Sequence, residues 1–332
     1  IMNNNLGIIL DPNSFKNIKE VVKKADNYNF HSAWVTELYR SSFEQLTFIA
    51  EITKNIKIGS AVTLAFIRSP LITAISAMDI DSLSNGRLIL GLGSGAINTN
   101  RKWHGSENFD KPSERMSSLI KILKNIQKGL YNGQDIEFAD MFHKIEIKAF
   151  KRPFKAYREQ IPLKIAGIGP RMSNIALNES DGYLGHVVCS KEYLVNNIVP
   201  LKQNKDSHVS SIILCAINKN KAQAVKDCKG TIAFYSIVKA YSEPFVQLGF
   251  GSNIEKIRKA YFNKDVDTMI KNVSDEMVEK FAIVGSEEEV NDEIVKYKDI
   301  LDLPILTAPH YYLNEEKLEF YQNQILETFK AS

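Results

Sequence analysis

Two apolar runs joined by one amphipathic segment constrain this chain most. The first run covers residues 56–64, and the second, 87–92, continues into a turn of small residues, Gly91-Leu-Gly93-Ser-Gly95. Ser69 and Pro70 between them are residue types that begin a helix, as N-cap and first helical residue. The pattern predicts a strand, a crossover helix and a parallel strand. Ligands of α/β proteins bind at the carboxyl edge of such strands, where the glycines fall.

The same alternation of apolar runs and helix-period segments continues along the whole chain. Strands are predicted at residues 6–10, 31–36, 57–65, 87–92, 162–166, 181–184, 210–217 and 304–307. Eight strands separated by helices favour an α/β fold of one domain, a (β/α)8 TIM barrel over residues 1–332, above an open doubly wound sheet. Insertions at its carboxyl-terminal face are expected at about 94–111, 133–160 and 221–280, the second of them with hairpin character and the third mostly helical.

Composition excludes several other classes of protein. Apolar residues make up 44% of the chain, charged residues 24%, and the net charge is +3, which gives no reason to propose nucleic acid as a partner. The three cysteines are odd in number and form no CxxC pair, which argues against a disulfide framework. Residues 1–5 lack the regions of a signal peptide, and no apolar run approaches the length of a membrane span. We expect a cytoplasmic protein that binds no membrane.

The glycine-rich turn at 91–95 is not a dinucleotide-binding fingerprint. Such a fingerprint needs a third glycine that opens a helix, whereas Ala96 occupies that place and 98–101 is predicted to be a loop. One interpretation is a strand end at which a planar ligand approaches the backbone closely. The alternative is a tight barrel corner that needs glycine for its own geometry.

A second candidate site follows the fifth predicted strand, at Gly167-Ile-Gly169-Pro-Arg171-Met172. Backbone N–H groups at the start of a helix, together with Arg171, favour an anion, and phosphate is the natural one at this face of a barrel. The alternative is an ordinary turn with proline at the first helical position.

Other chemistry finds little support in the sequence. The six histidines show no HxxxH or HExxH spacing, so no metal site is expected. No GxSxG motif is present, and no cysteine lies in a nucleophile signature. His186 and His310 follow predicted strands six and eight, where either can face the barrel mouth or simply pack at its rim. Trp34 is interpreted as core, and Trp103 as a hydrophobic plug in the loop after strand four.

Several longer segments resemble the bacterial luciferase-like oxidoreductases, and most closely the branch of methylene-tetrahydromethanopterin reductase. The matching segments are WVTE at 34–37, GSAVTLAFIRSP at 59–70, DIDSLSNGR at 79–87, LGLG at 90–93 and FAIVGSEEEV at 281–290. They span nearly the whole chain in the family's order. The resemblance implies a (β/α)8 barrel that binds FMN or the 8-hydroxy-5-deazaflavin coenzyme F420 at the carboxyl ends of its strands. It also implies a bulge in strand three with a non-prolyl cis peptide, here Ala61–Val62.

The resemblance and the two glycine-rich turns together predict the residues that bind the cofactor. These are Ala61, Val62, Leu64, Gly93, Ser94, Gly95, Gly167, Ile168, Gly169, Arg171 and Met172. Many relatives carry histidine after the acidic residue of strand two, but this chain has Leu38 there. The catalytic candidates are therefore the neighbouring Glu37 and Tyr39, unless hydride transfer needs little proton assistance.

Three functions remain open at this point. The first is a deazaflavin-dependent oxidoreductase that moves a hydride between coenzyme F420 and a small organic substrate. The second is an FMN-dependent monooxygenase that uses oxygen and flavin reduced elsewhere, with a flavin reductase as its partner. The third is a non-catalytic flavin-binding barrel, supported only by Leu38. The family also implies a homodimer, although no residue of this sequence determines the assembly.

Overall fold

The computed structural model describes residues 5–10, 14–107 and 109–331. Residues 1–4, which form most of the segment judged to lack a signal peptide, lie outside the described residues. Internal contacts divide the chain into two compact units. Unit 1 contains the described residues of Ile1–His31, Gly185–Leu201 and His208–Ser332, and unit 2 those of Ser32–Leu184 and Lys202–Ser207. The single domain expected over residues 1–332 stays a prediction.

The secondary structure follows the predicted alternation. The strands are β1 Gly7–Leu10, β2 Ser32–Val35, β3 Lys57–Ser60, β4 Thr63–Leu64, β5 Leu88–Gly93, β6 Ile136–Ala139, β7 Lys144–Ile147, β8 Leu163–Ala166, β9 Gly182–Gly185, β10 His208–Ile217, β11 Ala282–Gly285 and β12 Leu303–Thr307. The helices are α1 Phe15–Asn27, α2 Ser42–Ile52, α3 Pro70–Leu83, α4 Ile97–Trp103, α5 Pro112–Asn132, α6 Pro170–Glu179, α7 Lys191–Tyr193, α8 Lys221–Ser236, α9 Ser242–Gln247, α10 Gly251–Phe262, α11 Val266–Lys271, α12 Asp275–Phe281, α13 Glu287–Val295 and α14 Glu315–Thr328.

Unit 2 is built on parallel strands in the order β2, β3, β5 and β8, with β9 next to β8. Trp34 of β2 lies opposite Gly59 of β3, and a Cβ at Gly59 would lie 2.5 Å from the indole ring. Glycine therefore leaves the space for a fully buried tryptophan, as the interpretation of Trp34 as core requires. The antiparallel pair β6–β7 confirms the predicted hairpin.

Unit 1 contains the parallel pairs β1–β12, β12–β10 and β10–β11. The long strand β10 pairs with β12 through residues 210–214 and with β11 through residues 214–217. The apolar run at 281–284 is thus a strand, although it is not among the eight predicted strands. The three cysteines lie in this unit as buried free thiols.

The predicted strands one to eight correspond to β1, β2, β3, β5, β8, β9, β10 and β12. The fold is a (β/α)8 barrel, as predicted. Local signals explain why the elements begin where they do. The Ile72 N–H donates to Ser69 Oγ at 3.2 Å with Pro70 as the first helical residue, so α3 starts at its predicted boundary. The predicted helical region from 221 onward contains α8 to α12.

Two expectations for the segment after β5 are wrong. Residues 98–101 belong to helix α4 and do not form a loop. Asn100 stabilises the start of this helix, because its Nδ2 donates to Ser94 O at 2.9 Å and to Ala96 O at 3.0 Å. Such hydrogen bonds give no periodic pattern in the sequence. Trp103 is 69% exposed and does not plug the loop.

Across the described residues, no helix combines the length and the apolar character that crossing a bilayer requires.

Candidate functional site

The interrupted third strand forms the centre of the candidate site in unit 2. Strand β3 ends at Ser60, β4 begins at Thr63, and the Ala61–Val62 peptide between them is cis. This confirms the position that the family resemblance implied. The side chains of Ala61 and Val62 are half-buried, so part of each surface is accessible at this end of the strand.

Strand β5 approaches this interruption so closely that residues 91 and 93 have no room for a side chain. A Cβ at Gly91 would lie 1.8 Å from Ser60 O, and one at Gly93 would lie 2.5 Å from Val62 Cγ2. Gly95 has φ +66°, and its Cβ would lie 2.8 Å from Leu64 Cδ2. The structure therefore brings together Val62, Leu64, Gly93 and Gly95, four of the predicted cofactor residues, and Ser94 lies between the last two.

Glu37, which follows β2, holds residues 64 and 68 in place. Its carboxylate accepts hydrogen bonds from Leu64 N–H at 2.7 Å and Ser42 N–H at 3.0 Å, and it forms a bidentate ion pair with Arg68. Burial is the largest single influence and raises the pKa of Glu37, but the Arg68 guanidinium and the two N–H groups outweigh it, and the net pKa is lowered. A carboxylate with this many partners is suited to positioning residues 63–68.

The other catalytic candidate, Tyr39, has a different environment. Its side chain is 63% exposed, and that of the adjacent Leu38 is 41% exposed. Both follow Glu37 in one short segment, and Tyr39 is the more exposed of the two side chains. The catalytic roles of Glu37 and Tyr39 stay predictions.

The predicted anion site lies where β8 meets α6. A Cβ at Gly167 would lie 2.9 Å from Ser173 N, so glycine permits the strand end to contact the first turn of the helix. Ser173 is fully buried, and its Oγ has no hydrogen-bond partner among the described residues. Arg171 is exposed on the same turn. The orphan hydroxyl and the helix start are suited to an anion, and no sequence pattern singled out Ser173.

The two histidines at strand ends lie in unit 1. The Val188 N–H donates to His186 Nδ1 at 3.4 Å, and His310 Nδ1 contacts Ala308 O at 2.8 Å. The His186 ring packs against Tyr235 and Tyr241, with centroid distances of 4.6 and 4.7 Å. Burial, assisted by the neighbouring His310, lowers the pKa of His186 to about 4.

This lowered pKa predicts a loss of stability in acid. Between pH 6.5, the usual histidine pKa, and about pH 4, His186 is protonated in the unfolded chain but neutral in the folded protein. The free energy of unfolding therefore decreases as the pH falls through this window. We expect about 2 kcal/mol from this residue, below the full linkage value because the ring is part-exposed. The difference in unfolding free energy between wild type and His186→Phe at pH 7 and at pH 4 measures it. If this difference is the same at both pH values, the prediction is wrong. The titratable groups that face the His186 ring are His310, Tyr235 and Tyr241.

Comparison with known proteins places the chain in a family. The profile of the luciferase-like monooxygenases matches residues 2–302, and the chain belongs to this family. It is 27% identical to 5,10-methylenetetrahydromethanopterin reductase of Archaeoglobus fulgidus over 297 residues, which cover 82% of this chain and 83% of the relative. The resemblance seen in the sequence is thereby confirmed, together with the expectation of an oxidoreductase.

Solved structures agree with this assignment. The coenzyme F420 dependent tetrahydromethanopterin reductase of Methanopyrus kandleri superposes with a TM-score of 0.80 at 24% identity, covering 98% of this chain and 99% of that one. The oxygenating constituent of 3,6-diketocamphane monooxygenase from Pseudomonas putida, in complex with FMN, gives a TM-score of 0.65 at 15% identity, with 98% and 97% covered. Both likenesses support the barrel fold.

Proposed function

We propose that this enzyme transfers a hydride between coenzyme F420 and a small organic substrate. The observation that carries the proposal is the glycine-lined segment of unit 2, where Gly93 packs so closely against Val62 of the cis Ala61–Val62 peptide that no larger side chain fits. The two reductases described above match most of the chain, and the name of one of them says that it depends on coenzyme F420. Their names favour the deazaflavin above FMN.

The residues present fit a phosphate-bearing deazaflavin or flavin. Ala61, Val62 and Leu64 would support the ring, with Gly93, Ser94 and Gly95 beside it. The first turn of α6 would bind a phosphate through its N–H groups, Arg171 and the buried hydroxyl of Ser173. When bound, the ring supplies the hydride chemistry, while the protein binds, orients and shields it.

Few side chains near residue 38 can act as an acid or a base. Leu38 can neither donate nor accept a proton, and Glu37 is held by Arg68 and two N–H groups. Tyr39 is therefore the proton donor that we propose, for substrates whose product carries a new hydroxyl. A reaction that needs only hydride delivery would proceed without it.

An FMN-dependent monooxygenase is the second candidate, favoured by the likeness to an FMN-bound member of the fold. In that case a flavin reductase would supply reduced FMN. We also propose a homodimer, which sedimentation equilibrium tests directly.

Binding of the two coenzymes and oxygen consumption distinguish these functions. Fluorescence quenching with F420 and with FMN gives their relative affinities, and an oxygen electrode reports turnover. Tighter F420 binding without oxygen uptake is the expected result. Tight binding of reduced FMN with substrate-dependent oxygen consumption would replace the first proposal with the second, and binding without turnover on a panel of alcohols, aldehydes and imines would favour a non-catalytic protein.

Substitution of Gly93 tests the ring site. The added Cβ of Gly93→Ala would lie 2.5 Å from Val62 Cγ2 and displace that side chain, which we propose supports the ring, so we expect coenzyme affinity to fall at least ~10-fold. Gly251→Ala is the matched control, because its Cβ would meet only Val246 Cγ2, at 3.9 Å. An unchanged F420 affinity in a folded Gly93→Ala protein would exclude the ring from this position.

Ser173 tests the phosphate site separately. In Ser173→Ala, FMN should bind about 10-fold more weakly, since a hydrogen bond to a charged group is lost. Riboflavin, which lacks the phosphate, should bind with unchanged affinity. An equal loss for both flavins would assign Ser173 a structural role only.

A further inference from the structure

One segment of unit 2 combines positive charge with exposed aromatic rings. Residues 148–158, which follow β7 and form neither helix nor strand, have the sequence KAFKRPFKAYR. This basic strap contains five cations and no carboxylate, a pattern that the net charge of +3 for the whole chain conceals. Its aromatic residues Phe150, Phe154 and Tyr157 are 51%, 59% and 55% exposed. Rings that served only to hold the segment in place would be expected to be covered.

The basic strap is held firmly, at a place remote from the proposed coenzyme site. Arg158 forms a bidentate ion pair with the buried Asp81, at 2.8 and 3.0 Å, and donates to Leu88 O at 2.7 Å. A Cβ at Gly86 would lie 2.2 Å from Tyr157 Cε1, so the Tyr157 ring rests on the backbone of this turn. Leu88 is the first residue of β5, and the glycine-rich turn lies at the other end of that strand, roughly 17 Å away.

Part of the positive charge at the strap is not neutralised by ion pairs. Three of its five cations pair with carboxylates of the β6–β7 hairpin and of α3. Lys151 and Lys155 form no ion pair with any residue that the structure describes. Both lie beside the C-terminal end of α5, since Lys155 Nζ is 5.9 Å from the Tyr131 ring and a Cβ at Gly133 would lie 3.7 Å from Lys151 Cδ. Lys128, about one turn earlier on α5, is exposed and likewise has no ion pair within the described part of the chain.

The combination of charge and rings selects one class of ligand. Lysines without a counter-ion attract an anion, but a simple anion would leave the aromatic rings unused. Proteins bind single-stranded nucleic acid with cations that contact the phosphates and with aromatic rings on which the bases stack. The groove that Lys128 shares with Glu159 and Asp181 contains carboxylates and is less suited to phosphate than the strap is.

We propose that the basic strap and the end of α5 bind single-stranded nucleic acid without reading its sequence. Phosphates contact the three lysines, and bases stack on Phe150 and Phe154. Arg152 Cζ lies 4.4 Å from the centroid of the Phe154 ring, so a base stacks on the opposite face of this ring. Because the strap is already held in place, little entropy is lost when a strand binds. The site lies at the other end of β5 from the coenzyme, so the inference goes beyond the proposed hydride transfer.

Three labelled oligomers test the proposal on the full chain without coenzyme, by fluorescence anisotropy in about 50 mM salt. They are a single-stranded oligothymidylate of about twelve nucleotides, the same strand with abasic residues in place of the bases, and an oligoglutamate peptide of equal charge. We expect the oligothymidylate to bind at least ~10-fold more tightly than the abasic strand, because only the former can stack. Equal affinities for the two strands, or no binding of either, would overturn the proposal. Tighter binding of the oligoglutamate would assign the strap to an acidic protein instead.

Two substitutions separate stacking from charge. Phe154→Ala should weaken the binding of oligothymidylate at least ~5-fold and leave that of the abasic strand unchanged. Lys155→Gln should weaken the binding of both strands equally and reduce the slope of log affinity against log salt concentration by about 0.7. Phe262→Ala is the matched control, because Phe262 is 79% exposed and belongs to unit 1. Equal losses in Phe154→Ala and Phe262→Ala would place the nucleic acid elsewhere.

Sedimentation equilibrium tests whether a second copy of this chain occupies the strap. The proposal requires that Phe154→Ala leave the oligomeric state of the protein unchanged. Dissociation of an otherwise dimeric protein by Phe154→Ala would assign the strap to a subunit interface and overturn the proposal. Because coenzyme is absent from all these measurements, their outcome does not depend on whether deazaflavin binds.

Discussion

Replacing Gly91 with alanine is expected to lower the free energy of unfolding by at least ~3 kcal/mol, at the upper end for overpacked cores. The added Cβ would lie 1.8 Å from the carbonyl oxygen of Ser60 and 3.3 Å from Leu184 Cδ2. The first contact is with backbone, which no side-chain rotation relieves. Moreover, Ser60 Oγ donates to Gly91 O at 2.8 Å, so the two strands cannot separate without losing that bond. Urea unfolding, followed by the combined fluorescence of the buried Trp34 and the exposed Trp103, measures the change.

Gly251→Ala provides the comparison for this experiment, because its Cβ meets nothing closer than 3.9 Å. It should change the unfolding free energy by less than ~1 kcal/mol, with alanine favoured at the start of a helix. Equal midpoints for Gly91→Ala and Gly251→Ala would show that β3 and β5 are not packed as described.

Removing the charge of Glu37 is expected to have an effect of comparable size. Glu37→Gln keeps the shape of the side chain but leaves Arg68, whose side chain is 20% exposed, without its counter-ion. Breaking a buried ion pair in this way costs about 3 kcal/mol. Leu64 N–H and Ser42 N–H also lose a charged acceptor, so residues 63–68 should become more susceptible to proteolysis. Coenzyme affinity should fall with them.

Glu37 stabilises the folded protein in its charged form, whereas His186 does so in its neutral form. The folded pKa of Glu37 is lowered, so its stabilisation is complete above the ordinary value of 4.5 and is lost as the pH falls through the lowered value. Glu37→Gln should therefore lose most of its disadvantage in strong acid. Glu44→Gln, an exposed carboxylate in the first turn of α2, is the control. A wild-type stability for Glu37→Gln at pH 7 would show that the ion pair is not needed.

Much of the architecture was predictable because it depends on local chemistry. Buried parallel strands appear as apolar runs, and the start of α3 appears as Ser69 followed by Pro70. Ser60 and Val62 approach β5 so closely that residues 91 and 93 must be glycine, so the edge that carries the candidate site was visible in the glycine pattern of the sequence. The family resemblance added the position of the cis peptide.

The remaining features depend on contacts between distant residues. The ion pair joins Glu37 to Arg68, which is 31 residues away, and neither residue type nor spacing indicated it. Helix α4 was missed because Asn100 stabilises it through single hydrogen bonds to Ser94 and Ala96. Ser173 is a candidate because its hydroxyl is buried next to Gly167 without a hydrogen-bond partner among the described residues, and only the structure shows this.

The placement of two rare residue types makes the cooperativity of this protein measurable without labels. All three cysteines are buried in unit 1, and burial raises the pKa of Cys215 to about 12, so alkylating reagents can reach them only through opening of that unit. Both tryptophans belong to unit 2. Alkylation rates and indole emission, recorded across one denaturant series, report the two units independently. Coincident transitions would mean that the chain unfolds as one cooperative body.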